Sequence, residues 1–129
     1  MSGIPARVLI VEDEESILLS LEFLLGKEGY AVAIARDGVA ALRALQTQVP
    51  DLVLLDVMLP LIDGYELCRL IRENPALRST RIMLLTARGR EAEITRGMAL
   101  GADAYLTKPF STRELMEKVR ALLGALPTA

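Results

Sequence analysis

A chain of 129 residues, 52% of them hydrophobic, fits one compact domain built on one core. Its formal net charge of -2 arises from acids and bases mixed along the chain, which gives no electrostatic case for a nucleic-acid or membrane surface. It has no histidine and one cysteine, so an internal disulfide, phosphohistidine chemistry and an imidazole base or metal ligand are excluded.

The N-terminus, MSGIPARVLIVEDEES, has no long apolar core behind a basic start. No run in the chain approaches the ~20 apolar residues that span a bilayer. The expectation is a soluble, cytoplasmic protein. From Arg7, RVLIV reads as a first strand, and the helix after EDEES carries a core stripe of Leu18, Leu21 and Leu25. Asp13 and Glu15 are placed where they could cap that helix. Ile17, Ser20 and Phe23 lie off the stripe and read as either core or surface.

AVAIA from Ala31 is the second strand, and the spacing of Ala41, Leu42 and Leu45 predicts a helix behind it. LVLLD from Leu52 is the third strand. In YELCRLIRE, Cys68 joins Leu67 and Ile71 on an apolar helix face, which predicts a buried, inert thiol. IMLLT from Ile82 is the fourth strand, and Ile94 and Met98, one helical turn apart, are expected in the core. AYLT from Ala104 is the fifth strand, with Tyr105 half-buried on it. The last helix opens with STRE, where Ser111 can cap and Glu114 can close a capping box, and it is placed from about Thr112 to Leu123. Residues 1–129 thus read as a single domain with a core of about 7–123, and the GALPTA tail, 124–129, as a domain end or the start of a linker.

Strict alternation of apolar strands and helices implies an α/β fold, a doubly wound five-stranded parallel sheet with helices on both faces. The flavodoxin-like order 2-1-3-4-5 places the switch point between strands one and three, and ligands bind there at the carboxyl ends of the strands. That rim receives Glu12 and Asp13 from strand one, Asp56 from strand three, Thr86 from strand four and Lys108 from strand five. Crowded carboxylates raise one another's pKa unless a cation joins them, and magnesium suits a few carboxylates plus phosphate oxygens and water. With charge screened by the metal and Lys108, an oxygen of Asp56 can attack a phosphoryl group, while Thr86 and Lys108 bind its other oxygens. Singly, these residues read as caps, a turn acid ahead of Pro60 and a solvated lysine; their convergence gives them meaning.

The motifs VLIVEDEE, LLDVMLPLIDG, LLTA and GADAYLTKPF, in this order and spacing, resemble the receiver domain of two-component response regulators, with the single-domain chemotaxis receiver as architectural model. The resemblance runs from about Arg7 to Leu123. It implies that Asp56 is the phosphorylated residue, that Asp13, Asp56 and the backbone carbonyl of Met58 bind magnesium, and that Glu12 acts through water. It implies a cis Lys108-Pro109 peptide, a small residue at Ala87, and a switch in which Tyr105 follows Thr86 inward. The expected donor is a histidine kinase or histidine phosphotransfer protein docked on Ile17, Ser20 and Phe23. The expected readout is a changed surface around the fourth helix, fifth strand and fifth helix that selects a downstream target or effector domain. Such a protein catalyses only its own phosphorylation and dephosphorylation.

Leu61 and Ile62 depart from the family, which often has a small or polar residue after Pro60. Ile94 and Ala104 replace charges that the winged-helix subfamily uses, with residues such as Glu114 and Lys118, in a dimer ladder, so a monomer, with at most a weak dimer on phosphorylation, is expected. Two rival classes fit less well. An aspartyl-nucleophile phosphotransferase of the haloacid-dehalogenase type wants a second acid where Met58 stands. A flavodoxin-like cofactor binder wants a Gly/Ser/Thr phosphate cradle where VEDEES stands.

Overall fold

In the computed structural model, which describes residues 4–87 and 91–123, strands and helices alternate along the described residues. The elements are β1 (Arg7–Val11), α1 (Glu15–Lys27), β2 (Ala31–Ala35), α2 (Gly38–Thr47), β3 (Leu52–Asp56), α3 (Gly64–Glu73), β4 (Arg81–Ala87), α4 (Glu91–Ala99), β5 (Ala104–Lys108) and α5 (Thr112–Leu123), with a short 3-10 turn at Pro75–Leu77. All strand pairs are parallel, and the sheet order is β2-β1-β3-β4-β5. Among the described residues, no helix is long and apolar enough to cross a membrane.

Successive strand residues face opposite sides of a sheet, so the apolar runs supply two cores at once. Val8, Ile10, Leu52, Leu54, Met83, Leu85 and Leu106 pack beneath α1 and α5, meeting Leu18, Leu21 and Leu25 from the first and Leu115, Met116 and Val119 from the second. Leu9, Val11, Val53, Leu55 and Leu84 face the other way, toward Ala41 and Leu45 of α2 and Leu67, Cys68 and Ile71 of α3. Each fully buried leucine stabilises the fold by ~1.5–3 kcal/mol. Burial also raises the Cys68 thiol pKa, which fits its inert reading.

One expectation is corrected and one alternative falls away. Met98 is exposed and Ile94 only half-buried, because Gly97 is the residue of α4 that meets the sheet. A Cβ built on Gly97 would lie 2.0 Å from Leu84 Cδ1, so the helix approaches β4 more closely than a side chain there permits. At 100° per residue, that contact turns Met98 and Ile94 to the flanks of the helix. Asp13 and Glu15 do not cap α1 either. Its N-cap is Glu14, which makes no side-chain cap bond, and Glu15 pairs with Arg36. Ser111 does cap α5, accepting from the Glu114 amide at 3.0 Å. Residues 124–129, the predicted tail, lie outside the described residues.

The start of α3 fixes the loop that follows Asp56. Asp63 is the N-cap and accepts from Glu66 N at 2.9 Å. Gly64 then packs on the backbone of the strand end, where a Cβ would come within 2.6 Å of Asp56 O and 2.7 Å of Val57 Cα. Backbone atoms cannot yield as a side chain can. Gly64→Ala should therefore destabilise the fold by about 1–3 kcal/mol, seen as a lower urea midpoint; an unchanged midpoint would show that the strand end has slack.

Candidate functional site

Parallel strands of matched register bring β1, β3, β4 and β5 to a common rim. Beyond β1, Glu12 N still donates to Ala35 O at 3.1 Å, and beyond β3, Val57 N donates to Leu85 O at 3.2 Å, so the sheet geometry persists into the site. Glu12 is fully buried and Asp56 is 4% exposed, whereas Asp13 is exposed. One carboxylate oxygen from each of Glu12, Asp13 and Asp56 lies within 4.8 Å of the others. Lys108 reaches into this group, its Nζ 2.9 Å from Glu12 Oε1 and 3.4 Å from Asp56 Oδ2.

Backbone amides orient the two buried acids. Met58 N donates to Asp56 Oδ1 at 3.0 Å, and Glu14 N donates to Glu12 Oε2 at 3.1 Å. Glu12 Oε1, though in ion-pair range of Lys108, receives no aligned hydrogen bond. Burial, and secondarily the Asp56 charge, raise the Glu12 pKa above its ordinary 4.5, against the lowering effect of Lys108. For Lys108 burial is the largest single influence and opposes its charge, yet contacts with Glu12 and Asp56 together raise its pKa.

The remaining predicted residues are less convergent. Thr86 is buried at the end of β4, but its hydroxyl donates to Oε1 of Glu93 on α4 at 2.9 Å. No feature of the sequence pointed to Glu93. Tyr105 is 37% exposed, its ring 4.5 Å beneath the Lys118 ammonium. The Lys108-Pro109 peptide is cis. Leu61 takes a φ of 72° and is exposed, as is Met58. Beside the acids, a cleft of about 490 Å³ is lined by Ile17, Ser20, Leu24, Lys108, Pro109 and Phe110 among others. Phe23 does not line it; its ring faces solvent near Lys27.

The chemistry of the donor set fits a small hard dication: carboxylate oxygens, two of them buried, with one buried oxygen still short of an aligned donor. The comparisons agree with this geometry. Residues 8–120 match the model of the response regulator receiver domain. The alkaline phosphatase synthesis transcriptional regulatory protein PhoP of Bacillus subtilis is 45% identical over 117 residues, which cover 91% of this chain and 48% of that protein. The chain spans about half the length of the curated relatives it matches. A putative response regulator from Chloroflexus aurantiacus superposes with a TM-score of 0.90 at 38% identity, covering 93% of this chain and 98% of that one. The receiver domain of the sensor histidine kinase PA1611 from Pseudomonas aeruginosa, crystallised with magnesium in its active-site cleft, superposes with a TM-score of 0.86 at 32% identity, covering 95% of this chain and 100% of that one. The chain belongs to the response regulator receiver domain family of two-component signal transduction.

Because its folded pKa is raised, Glu12 contributes stability that is complete below 4.5 and is lost as pH rises through the folded value. Lys108 restrains that rise. In metal-free Lys108→Met protein the Glu12 titration, followed by carboxyl NMR, should move to higher pH than in the wild type. A midpoint that stays or falls would mean that Lys108 does not bear on Glu12.

Proposed function

We propose that Asp56 accepts a phosphoryl group from a phosphohistidine of a partner histidine kinase or phosphotransfer protein. Asp13, Asp56 and the Met58 backbone carbonyl would hold magnesium, with Glu12 acting through water. The observation that carries this reading is the bridging of buried Glu12 and Asp56 by Lys108, with Asp13 beside them. When bound, the ion supplies positive charge where carboxylate and phosphoryl oxygens meet.

A carboxylate oxygen of Asp56 attacks phosphorus, the P–N bond to the donor breaks, and its electron pair stays on the imidazole nitrogen. Asp56 becomes an acyl phosphate. Lys108 exchanges its carboxylate contact for a phosphoryl oxygen, and Thr86 donates to another. Attack of water at phosphorus releases inorganic phosphate and restores the carboxylate, so the chain acts on itself alone and resets. The signal leaves through Thr86 and Tyr105, the ring moving inward from its place under Lys118, and alters the face of α4, β5 and α5 that a downstream target or effector domain reads. Residues 1–129 form one receiver unit with its core at about 7–123. Ile94 and Ala104 leave its α4–β5–α5 face short of charges for an ion-pair ladder, which favours a monomer or at most a weak dimer.

Acetyl phosphate with magnesium should add one phosphoryl group to the protein by intact mass, and Asp56→Asn should not gain it; equal modification of the variant would remove Asp56 from this role. The cleft lined by Ile17, Ser20 and Leu24 should receive the donor protein. Ile17→Glu should slow transfer from the cognate kinase by about tenfold while acetyl phosphate still modifies Asp56. Equal loss from both donors would point to a folding defect instead.

A further inference from the structure

Thr86 is 2% exposed, and its hydroxyl donates to Glu93 Oε1 across the gap between β4 and α4. A hydroxyl carries one proton and serves one acceptor at a time. In the reading of Asp56 as phosphoacceptor, on which this inference rests, that proton is needed by a phosphoryl oxygen. The two acceptors therefore exclude each other, and the carboxylate is a strong competitor because hydrogen bonds to charged groups exceed neutral ones.

The surroundings of α4 give the competition a mechanical consequence. Its later half is held by contacts in which Thr86 takes no part: Gly97 sits against Leu84, and the Arg96 guanidinium lies 4.0 Å over the Tyr65 ring of α3. Its first turn, with Glu91 and Glu93, is tied to the strand end through Thr86. A change of acceptor by Thr86 thus removes a tether at one end of the helix while its other end stays packed.

We propose that Glu93 is a positioning residue for the phosphorylation chemistry: it holds the Thr86 hydroxyl on the α4 side, opposes the phosphoryl-bound state, and is released from Thr86 when that state forms. By linkage, a target that prefers the first turn of α4 untethered favours the acyl phosphate by the same factor that phosphorylation favours the target.

Beryllofluoride, a phosphoryl mimic, tests this directly in the presence of magnesium. Glu93→Ala should bind it about tenfold more tightly than the wild type, whereas Glu93→Gln, whose carbonyl oxygen can still accept from Thr86, should stay within about threefold of it. In a Thr86→Ala background, Glu93→Ala should change nothing, since its effect passes through the hydroxyl. Without metal or mimic, the Thr86 and Ala87 resonances of Glu93→Ala should already move toward their positions in the beryllofluoride-bound wild type, a shift that general loosening of the helix would not produce. Unchanged affinity in Glu93→Ala, or an equal gain in the Thr86→Ala background, would overturn the proposal. A wild type that binds no beryllofluoride would instead defeat the reading of Asp56.

Discussion

The arrangement depends on one electrostatic constraint: carboxylates from the end of β3 and from the loop beyond the adjacent β1 are held within 4.8 Å of one another, and two of the three are buried. Like charges at about 4 Å repel by about 4 kcal/mol even at an effective dielectric of 20. Lys108 answers part of that repulsion from two strands away. β5 is separated from β3 by β4, a distance of about 9–10 Å between strand axes, so the lysine must reach across the end of β4 to touch Asp56 and Glu12. A long flexible stem with a point charge at its tip suits that span. Glu12 keeps a raised pKa in spite of it, chiefly because it is buried and secondarily because of the Asp56 charge. One ammonium against three ionised carboxylates leaves negative charge that a divalent ion would offset.

Holding charges together against repulsion requires a rigid frame, and the frame is set far from the site. Arg72 of α3 donates to Gly101 O at 2.8 Å, Thr80 O at 2.7 Å and Asp103 Oδ2 at 2.9 Å. Asp103 Oδ2 also accepts from Ile82 N at 2.8 Å. These bonds join the starts of β4 and β5. The register they help to set carries through to Thr86 opposite Thr107 and Ala87 opposite Lys108 at the other end. The close seat of Gly64 on the Asp56 backbone does the corresponding work for the loop after β3.

Much of this was legible because each site residue ends an apolar run. Asp56 closes LVLLD and Thr86 closes IMLLT, and parallel strands ending at one rim make those positions neighbours. The stripe of Leu18, Leu21 and Leu25 was equally plain from its spacing. What escaped the sequence depends on features without a periodic signal. Gly97, not Ile94 or Met98, seats α4, because close approach of a helix is decided by a missing side chain. The orientation of the Thr86 hydroxyl toward Glu93 is a choice among rotamers, which hydrophobic pattern does not encode. The same holds for the solvent-facing ring of Phe23, where Leu24 takes the place expected of it beside the cleft.

The central claim, that the carboxylates form a cation site left undercompensated by Lys108, is tested most directly by thermal unfolding of the phosphate-free protein against magnesium concentration. A ligand that binds the folded chain alone raises Tm in proportion to the logarithm of its concentration above Kd. The account predicts such a rise in the wild type and its loss in Asp13→Ala, which removes the exposed acid without disturbing the buried pair. A wild-type Tm indifferent to magnesium, or an equal rise in Asp13→Ala, would contradict it.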